Sequence, residues 1–317
     1  MSPALVALGL ITMLVLPHRL HLERSAPATG IAVWSLVLAL RALMGVFLAV
    51  YVILYLPATA LVEAISRWCL HTVLPLLATH LGFSGHSLID AATFAPAAVL
   101  ATSLLWAGLG VARGAARVRR ALDREALGPG PEDSVIVGGA DIFVAAAGFR
   151  HPRVVVSAGA LTVLDDAELE ASLAHERGHI ARRHRWVLLF AQSASALARF
   201  IPGTRRAARE LGFHIERDAD QWAVRRSGDP LALASAICKA ASTAFSKPAL
   251  TTLGAGSATR RVAALIDPPA RGCARGAAGV LAAVLGVWVV ALAIALPAAA
   301  SAGMRQATHQ PAHACTH

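Results

Sequence analysis

The chain has 317 residues, 56% of them hydrophobic and only 15% charged, with a mean hydropathy of +0.59. That balance excludes a disordered chain, is unlike an ordinary cytosolic globule, and points to a membrane protein with an attached soluble part. The net charge of +10 comes from 29 Lys and Arg against 19 Asp and Glu. The basic residues are almost all Arg beside apolar stretches, with no interleaved aromatics. Positive-inside topology accounts for them, and direct nucleic-acid binding is not expected.

In chain order, residues 3–17 are apolar and uncharged. No basic region precedes them and no A-x-A-like site follows, so they read as a short first span rather than a signal peptide. His18, Arg19 and Arg24 follow it. Residues 31–57 form a second, long apolar run, sufficient at ~1.5 Å per residue to cross a ~30 Å core. Arg41 lies inside that run; snorkelling or a shifted helix boundary is the expected explanation, ahead of a polar contact within the bundle. The stretch 68–83 is apolar but short, with Pro75 and two His, and is placed at the outer interface. Residues 92–112 make a third span and 277–300 a fourth. Four spans over a membrane domain at 1–112 and a final helix at 277–300 leave 113–276 as a soluble domain and 301–317 as a short extracytoplasmic tail.

Arg placement orients the spans. Arg19 and Arg24 follow the first, Arg113, Arg117, Arg119, Arg120 and Arg124 follow the third, and Arg271 and Arg275 precede the fourth. The loop 58–91 and the tail after 300 hold one Arg each. The expected protein is therefore multi-pass in the cell membrane, with both termini outside and 113–276 cytoplasmic. The tail carries His309, His313 and His317, which read as a flexible polar end. Cys69, Cys238, Cys273 and Cys315 form no CxxC pair, so neither a disulfide framework nor a Cys-type zinc site is expected.

The soluble region has its own order. GPGPED at 128–133 reads as a turn-rich linker, and strands are expected at about 134–137, 141–146 and 153–157. Asp165 with Glu168 three residues on resembles a capping box. The helix it opens is expected to run through Leu169, Leu173, His175 and His179 to about Phe200, with Pro202-Gly203 as its stop. Further helices are expected at about 205–226 and 231–245, separated by Gly228-Asp229-Pro230.

On the first of those helices lies His175-Glu176-Arg177-Gly178-His179, an HExxH. Its two imidazoles stand one turn apart on one face and suit two corners of a zinc tetrahedron. Glu176 is placed to take a proton from a metal-bound water. Gly178 lets another element approach closely. An HExxH alone fits a solvated helix face as well as a zinc site. Glu216 and Asp220, four apart on the next helix, decide for the site. Glu216 completes a His2Glu set, and Asp220 orients a ligating His.

The segment VVVSAGALTVLDDAELEASLAHERGHIARRH (154–184), followed by ERDAD (216–220), resembles the gluzincin membrane metallopeptidases, nearest to the BlaR/MecR-type antirepressor peptidases. It is similar in the same motifs to the HtpX and CAAX prenyl protease families. The resemblance implies that His175, His179 and Glu216 bind one Zn2+ per chain, that Glu176 is the catalytic base, and that Asp220 stands behind a ligand. It implies a mostly α, four-span protein with an α+β gluzincin domain. With 17 residues after residue 300, antibiotic sensing through a large penicillin-binding domain like that of the β-lactam receptors is not expected, and Ala219 stands where their acidic motif often has Cys.

Other polar residues are weighed beside these. His184 falls off the metal-facing side and is expected to be structural. The chain's two Tyr, Tyr51 and Tyr55, both lie in the second span, so no Tyr is available as an oxyanion donor in the soluble domain. His214, Arg217, Arg260 and Arg261 remain open for that role, although Arg260-Arg261 is expected to cap a helix or face solvent. The strand at 141–148 is placed to pair with an extended substrate, or is an ordinary sheet strand. The expected function is a membrane-embedded zinc endopeptidase acting on a protein or peptide substrate, with the lipid bilayer and a transcriptional repressor as partners, or with itself as substrate. The alternative is a membrane signalling or scaffold protein with restricted or no proteolysis.

Overall fold

In the computed structural model, residues 15, 18–19, 22–55, 85–148, 151–244, 251–267, 279–288 and 290 are described. The expected first span, the stretch 68–83, the tail 301–317 and most of the fourth span lie outside the described residues. The molecule is mostly helical with a small mixed sheet. Among the described residues, two helices are long and apolar enough to cross a membrane: Pro27–Val50, inside α1 (Pro27–Tyr55), and Ala97–Ala116, inside α2 (Gly85–Glu125). They weakly suggest membrane association.

Pro27 at the first helical position opens α1 with a φ already suited to a helix. α1 does not stand apart from the soluble region. Val33, Trp34, Val37, Leu38 and Leu40 pack with Ala191 and Ala194 of α5 (His184–Leu197), Ala207, Leu211 and Ile215 of α6 (Thr204–Ser227), and Leu281 and Leu285. Arg41 corrects the expectation of snorkelling. It is 1% exposed, donates to the Pro202 carbonyl, and lies 3.1 Å from Nε2 of His18. The tightness of the α5–α6 turn makes this reach possible. Gly203, at φ 83°, leaves room for the guanidinium where a side chain would collide with it. α2 behaves differently: Leu104, Leu105, Trp106 and Leu109 stay exposed, while Ser103 is buried and accepts from Arg199 at the end of α5 at 2.8 Å.

The sheet has order β1-β2-β4-β3, with β1 (Ala126–Pro129), β2 (Val135–Val137), β3 (Val144–Ala147) and β4 (Arg153–Ser157). β2 and β4 are parallel; the other pairs are antiparallel. β1 begins before the GPGPED stretch and claims its first residues, which the sequence reading treated as a linker. β4 buries Val154, Val155 and Val156, an apolar run suited to an interior strand. Among the described residues β3 pairs with β4 alone, from Val144↔Val156 to Ala147↔Arg153, and on its other side Ala146 N donates to Glu176. Ser157 closes β4 and caps α3 (Ala158–Val163): its Oγ accepts from Ala160 N at 3.0 Å and from Phe143 N at 3.1 Å.

α4 (Asp166–Ala181) opens on the capping box, with Asp165 and Glu168 each accepting the other's backbone N–H at 2.9 Å. Glu168 also takes Ser235 Oγ at 2.6 Å and Lys239 Nζ at 2.5 Å, tying this turn to α7 (Pro230–Ala244). The expected single helix to Phe200 is corrected. The chain turns at Arg182-Arg183, with Arg183 in the left-handed region at φ 55°, and restarts as α5. Arg182 N still bonds to Gly178 O at 3.0 Å and Arg183 N to Ile180 O at 3.1 Å, which closes α4 cleanly. α6 begins after Gly203 and ends at Gly228, φ 72°. Asp229 Oδ1 then accepts from Leu231 N and Ala232 N, each at 2.9 Å, to start α7. α8 (Thr251–Ile266) was not anticipated.

Candidate active site

α4 and α6 lie against each other through small residues, Ala171 and Ala174 facing Ala223. At Gly178 a Cβ would come within 3.1 Å of the Trp222 side chain, so glycine there permits the approach that puts the two motifs face to face. His175 and His179 come from α4 and Glu216 from α6, each offering one donor atom, all within 4.8 Å of one another. The Nε2 atoms of His175 and His179 are 3.1 Å apart; Glu216 lies 3.5 Å from the first and 3.7 Å from the second. A tetrahedral ion with bonds of ~2.0–2.1 Å has edges of ~3.3–3.4 Å. The three donors therefore fit a zinc ion in spacing and in chemistry.

Each imidazole is backed by an acidic residue of α6. Asp220 Oδ1 sits 2.9 Å from His175 Nδ1 and holds the proton there, so that the neutral ring carries its lone pair on Nε2. His179 is served through an intermediary. Its Nδ1 is 3.0 Å from His184 Nδ1, and His184 Nε2 is 3.2 Å from Asp218 Oδ2. With His184 donating to Asp218, its Nδ1 accepts from His179 Nδ1–H, and His179 too presents Nε2. His184 stands away from the donor set, as its spacing predicts, but touches His179 from behind. Asp218, within the same ERDAD segment, carries no local signal of this contact.

Arg261 overturns a second expectation. Its side chain is 14% exposed and turned inward: Nη2 and Nε meet Asp220 at 2.6 and 2.9 Å, and Nη1 meets Glu216 at 2.8 Å. It neither caps a helix nor faces solvent. Two other candidates leave the site. Arg217 donates to the carbonyls of Glu23 and Ser25 at 2.7 and 3.3 Å. His214 is 0% exposed and pressed against Gly30 of α1, with neither ring nitrogen hydrogen-bonded among the described residues. Burial pushes its pKa down to about 3, so it is a neutral packing residue.

Glu176 lies beside the donor set. Its Oε2 accepts from Ala146 N of β3 at 2.7 Å. Burial raises its pKa, partly offset by the His175 charge and by that N–H. Burial would also raise Glu216 and Asp220, but His175 and Arg261 outweigh it and hold both below the ordinary carboxylate range. For His175, burial opposes the charged ring, yet the hydrogen bonds to Asp220 and Glu216 prevail and raise its pKa to about 9. His179 is lowered to about 4 by burial and by the neighbouring His175 charge. These groups open on a cavity of about 550 Å³ between β3, α4, α7 and the start of α5, with Leu233, Ala236, Ile237 and Ala240 along the α7 side.

Residues 116–244 match peptidase family M48. Over that stretch, which is less than half of the chain, the protein is similar to the metallopeptidases of that family, hydrolases that are typically zinc-dependent. No curated protein and no solved structure matches the chain. The matched stretch contains His175, Glu176, His179, Glu216 and Asp220, and leaves α1 and α8 outside it.

The two His pKa values set a measurable consequence. Below about pH 9 the metal-free protein holds a proton on His175, whereas His179 is neutral and Glu216 ionised. A metal ligand must be deprotonated, so zinc binding at pH 7.5 should expel about one proton, not two. Apparent affinity should rise roughly tenfold per pH unit towards pH 9 and then level off. Titration calorimetry in buffers of different ionisation enthalpy counts the proton; zero released at pH 7.5 contradicts this charge state.

Proposed function

We propose that the chain is a membrane-embedded zinc endopeptidase of the BlaR/MecR type, with its catalytic domain over 113–276 on the cytoplasmic side and a repressor or the chain itself as substrate. The observation that carries this reading is the convergence of His175, His179 and Glu216 with Glu176 beside them. The exposed apolar side of α2 and the Arg-rich flanks support membrane embedding.

Bound at this set, zinc would polarise the scissile carbonyl and supply a water acidic near neutral pH. Glu176 would accept a proton on a carboxylate oxygen from the water whose oxygen bonds to the scissile carbonyl carbon, and return it to the amide nitrogen as the C–N bond breaks. Its raised pKa brings it closer to the range where both transfers are feasible at neutral pH. Asp220 and the His184–Asp218 pair keep the two imidazoles in the tautomer that binds. An extended peptide would pair along the outer edge of β3 and take over the Ala146 N–H that Glu176 accepts, fixing its register as an added strand. Arg261, which lines the cavity while bonded to Glu216 and Asp220, would supply positive charge near the carbonyl oxygen as it becomes negative. Purified protein should hold about one zinc per chain, and a chelator should abolish peptide cleavage; a zinc-free preparation that cleaves, or cleavage indifferent to chelation, refutes the proposal.

A further inference from the structure

α6 presents two chemically distinct sides. Glu216 and Asp220 face the catalytic donors, whereas Glu210, Phe213 and Arg217, spaced three and four residues apart, face α8 and the segment leading into α1. The neighbouring residues Arg260 and Arg261 of α8 divide between those sides. Arg261 enters the site. Arg260 Nη2 meets Glu210 at 2.9 Å and Glu23, just ahead of α1, at 2.7 Å, and its guanidinium lies 3.7 Å over the Phe213 ring. The same leader is held again from α6, where Arg217 donates to the carbonyls of Glu23 and Ser25. A planar guanidinium stacked on an aromatic face and bonded to two carboxylates has its direction fixed, as a lone surface ion pair does not. Glu23, Arg260 and Arg261 all lie outside the stretch that matches the peptidase family.

We propose that Arg260 is a positioning residue for Arg261: clasped by Glu23, Glu210 and Phe213, it fixes the rotation of α8 so that the next side chain reaches Glu216 and Asp220, and it thereby ties the leader of α1 to the site. This rests on the peptidase reading and on the role given there to Arg261. A side chain one residue along a helix is rotated by about 100°. Arg260 and Arg261 therefore cannot shift independently, and loosening one withdraws the other.

The test compares Arg260→Gln, Arg260→Lys, Glu23→Gln, Arg261→Gln and the double variant Arg260→Gln/Arg261→Gln in the full chain. Arg261→Gln should lower kcat by roughly 10²–10³-fold, the cost of removing one charge-stabilising donor. Arg260→Gln should lower kcat by roughly 10–10²-fold with KM within about threefold, as misplacement of such a group does. Arg260→Lys keeps a cation on Phe213 and one ion pair, and should recover most of that loss. Glu23→Gln should cost about threefold. In the Arg261→Gln background, Arg260→Gln should add less than about twofold, since nothing remains to position. In metal-free protein, Arg260→Gln should speed amide exchange over 258–266 while α4 and α6 stay protected. Losses that multiply in the double variant, unchanged exchange in α8, or exchange that rises throughout the domain overturn the clasp. Wild-type rates in Arg261→Gln remove the role of Arg261 and the clasp with it, leaving the peptidase reading intact. A zinc-loaded wild type that cleaves nothing removes that reading instead, and the exchange pattern then decides the clasp alone.

Discussion

Glu176→Gln should keep its zinc and lose peptide cleavage by roughly 10²–10⁴-fold, the contribution of a positioned general base. The substitution preserves shape. Glu176 contributes no atom to the His175–His179–Glu216 donor set, so metal content should not change. The local fold should hold as well, because the one hydrogen bond involved is accepted from Ala146 N at 2.7 Å and the amide oxygen of Gln accepts it equally. What disappears is the capacity to hold a proton between water and leaving amine. Metal analysis with cleavage kinetics on the same preparation checks this; loss of zinc alongside activity would make Glu176 part of the binding set, and full activity would place the base elsewhere.

What the sequence revealed of this site was whatever rests on short spacing. The capping box at Asp165 and Glu168 and the pairing of His175 with His179 are contacts within one turn, so residue types at fixed offsets announce them. Glu216 and Asp220 were found by the same rule applied on a second helix. Contacts made across the fold left no such trace. Nothing in Arg182-Arg183-His184 signals a chain turn, since neither Gly nor Pro is present; the break is imposed by His184, drawn inward to Asp218 and His179. Arg41 read as a charge escaping an apolar helix because its partner, the Pro202 carbonyl, lies 161 residues away. Arg261 read as a surface residue because the carboxylates that bury it belong to α6. Charged residues buried by distant partners are the ones that local pattern misassigns, and in this molecule one of them, Arg261, enters the candidate active site.

Glu216→Ala should lose zinc itself, by more than the 10–100-fold that removal of a supporting outer residue costs. Only two imidazoles would then remain at 3.1 Å from each other, two corners of a site that needs a third protein ligand. The fold should tolerate the change. The Glu216 side chain is 33% exposed, and Arg261 keeps its two bonds to Asp220 at 2.6 and 2.9 Å, so no buried charge is left without a partner. Asp220→Ala makes the informative contrast. It leaves all three donor atoms in place but frees the Nδ1 side of His175 and deprives Arg261 of its two-point partner. Zinc affinity there should fall by roughly 10–100-fold and no further. Competition of each variant against a chromogenic chelator, with melting curves of the metal-free forms as the control for folding, orders the two. Glu216→Ala binding zinc as tightly as wild type would assign the third ligand to another residue; a larger loss in Asp220→Ala than in Glu216→Ala would exchange their roles.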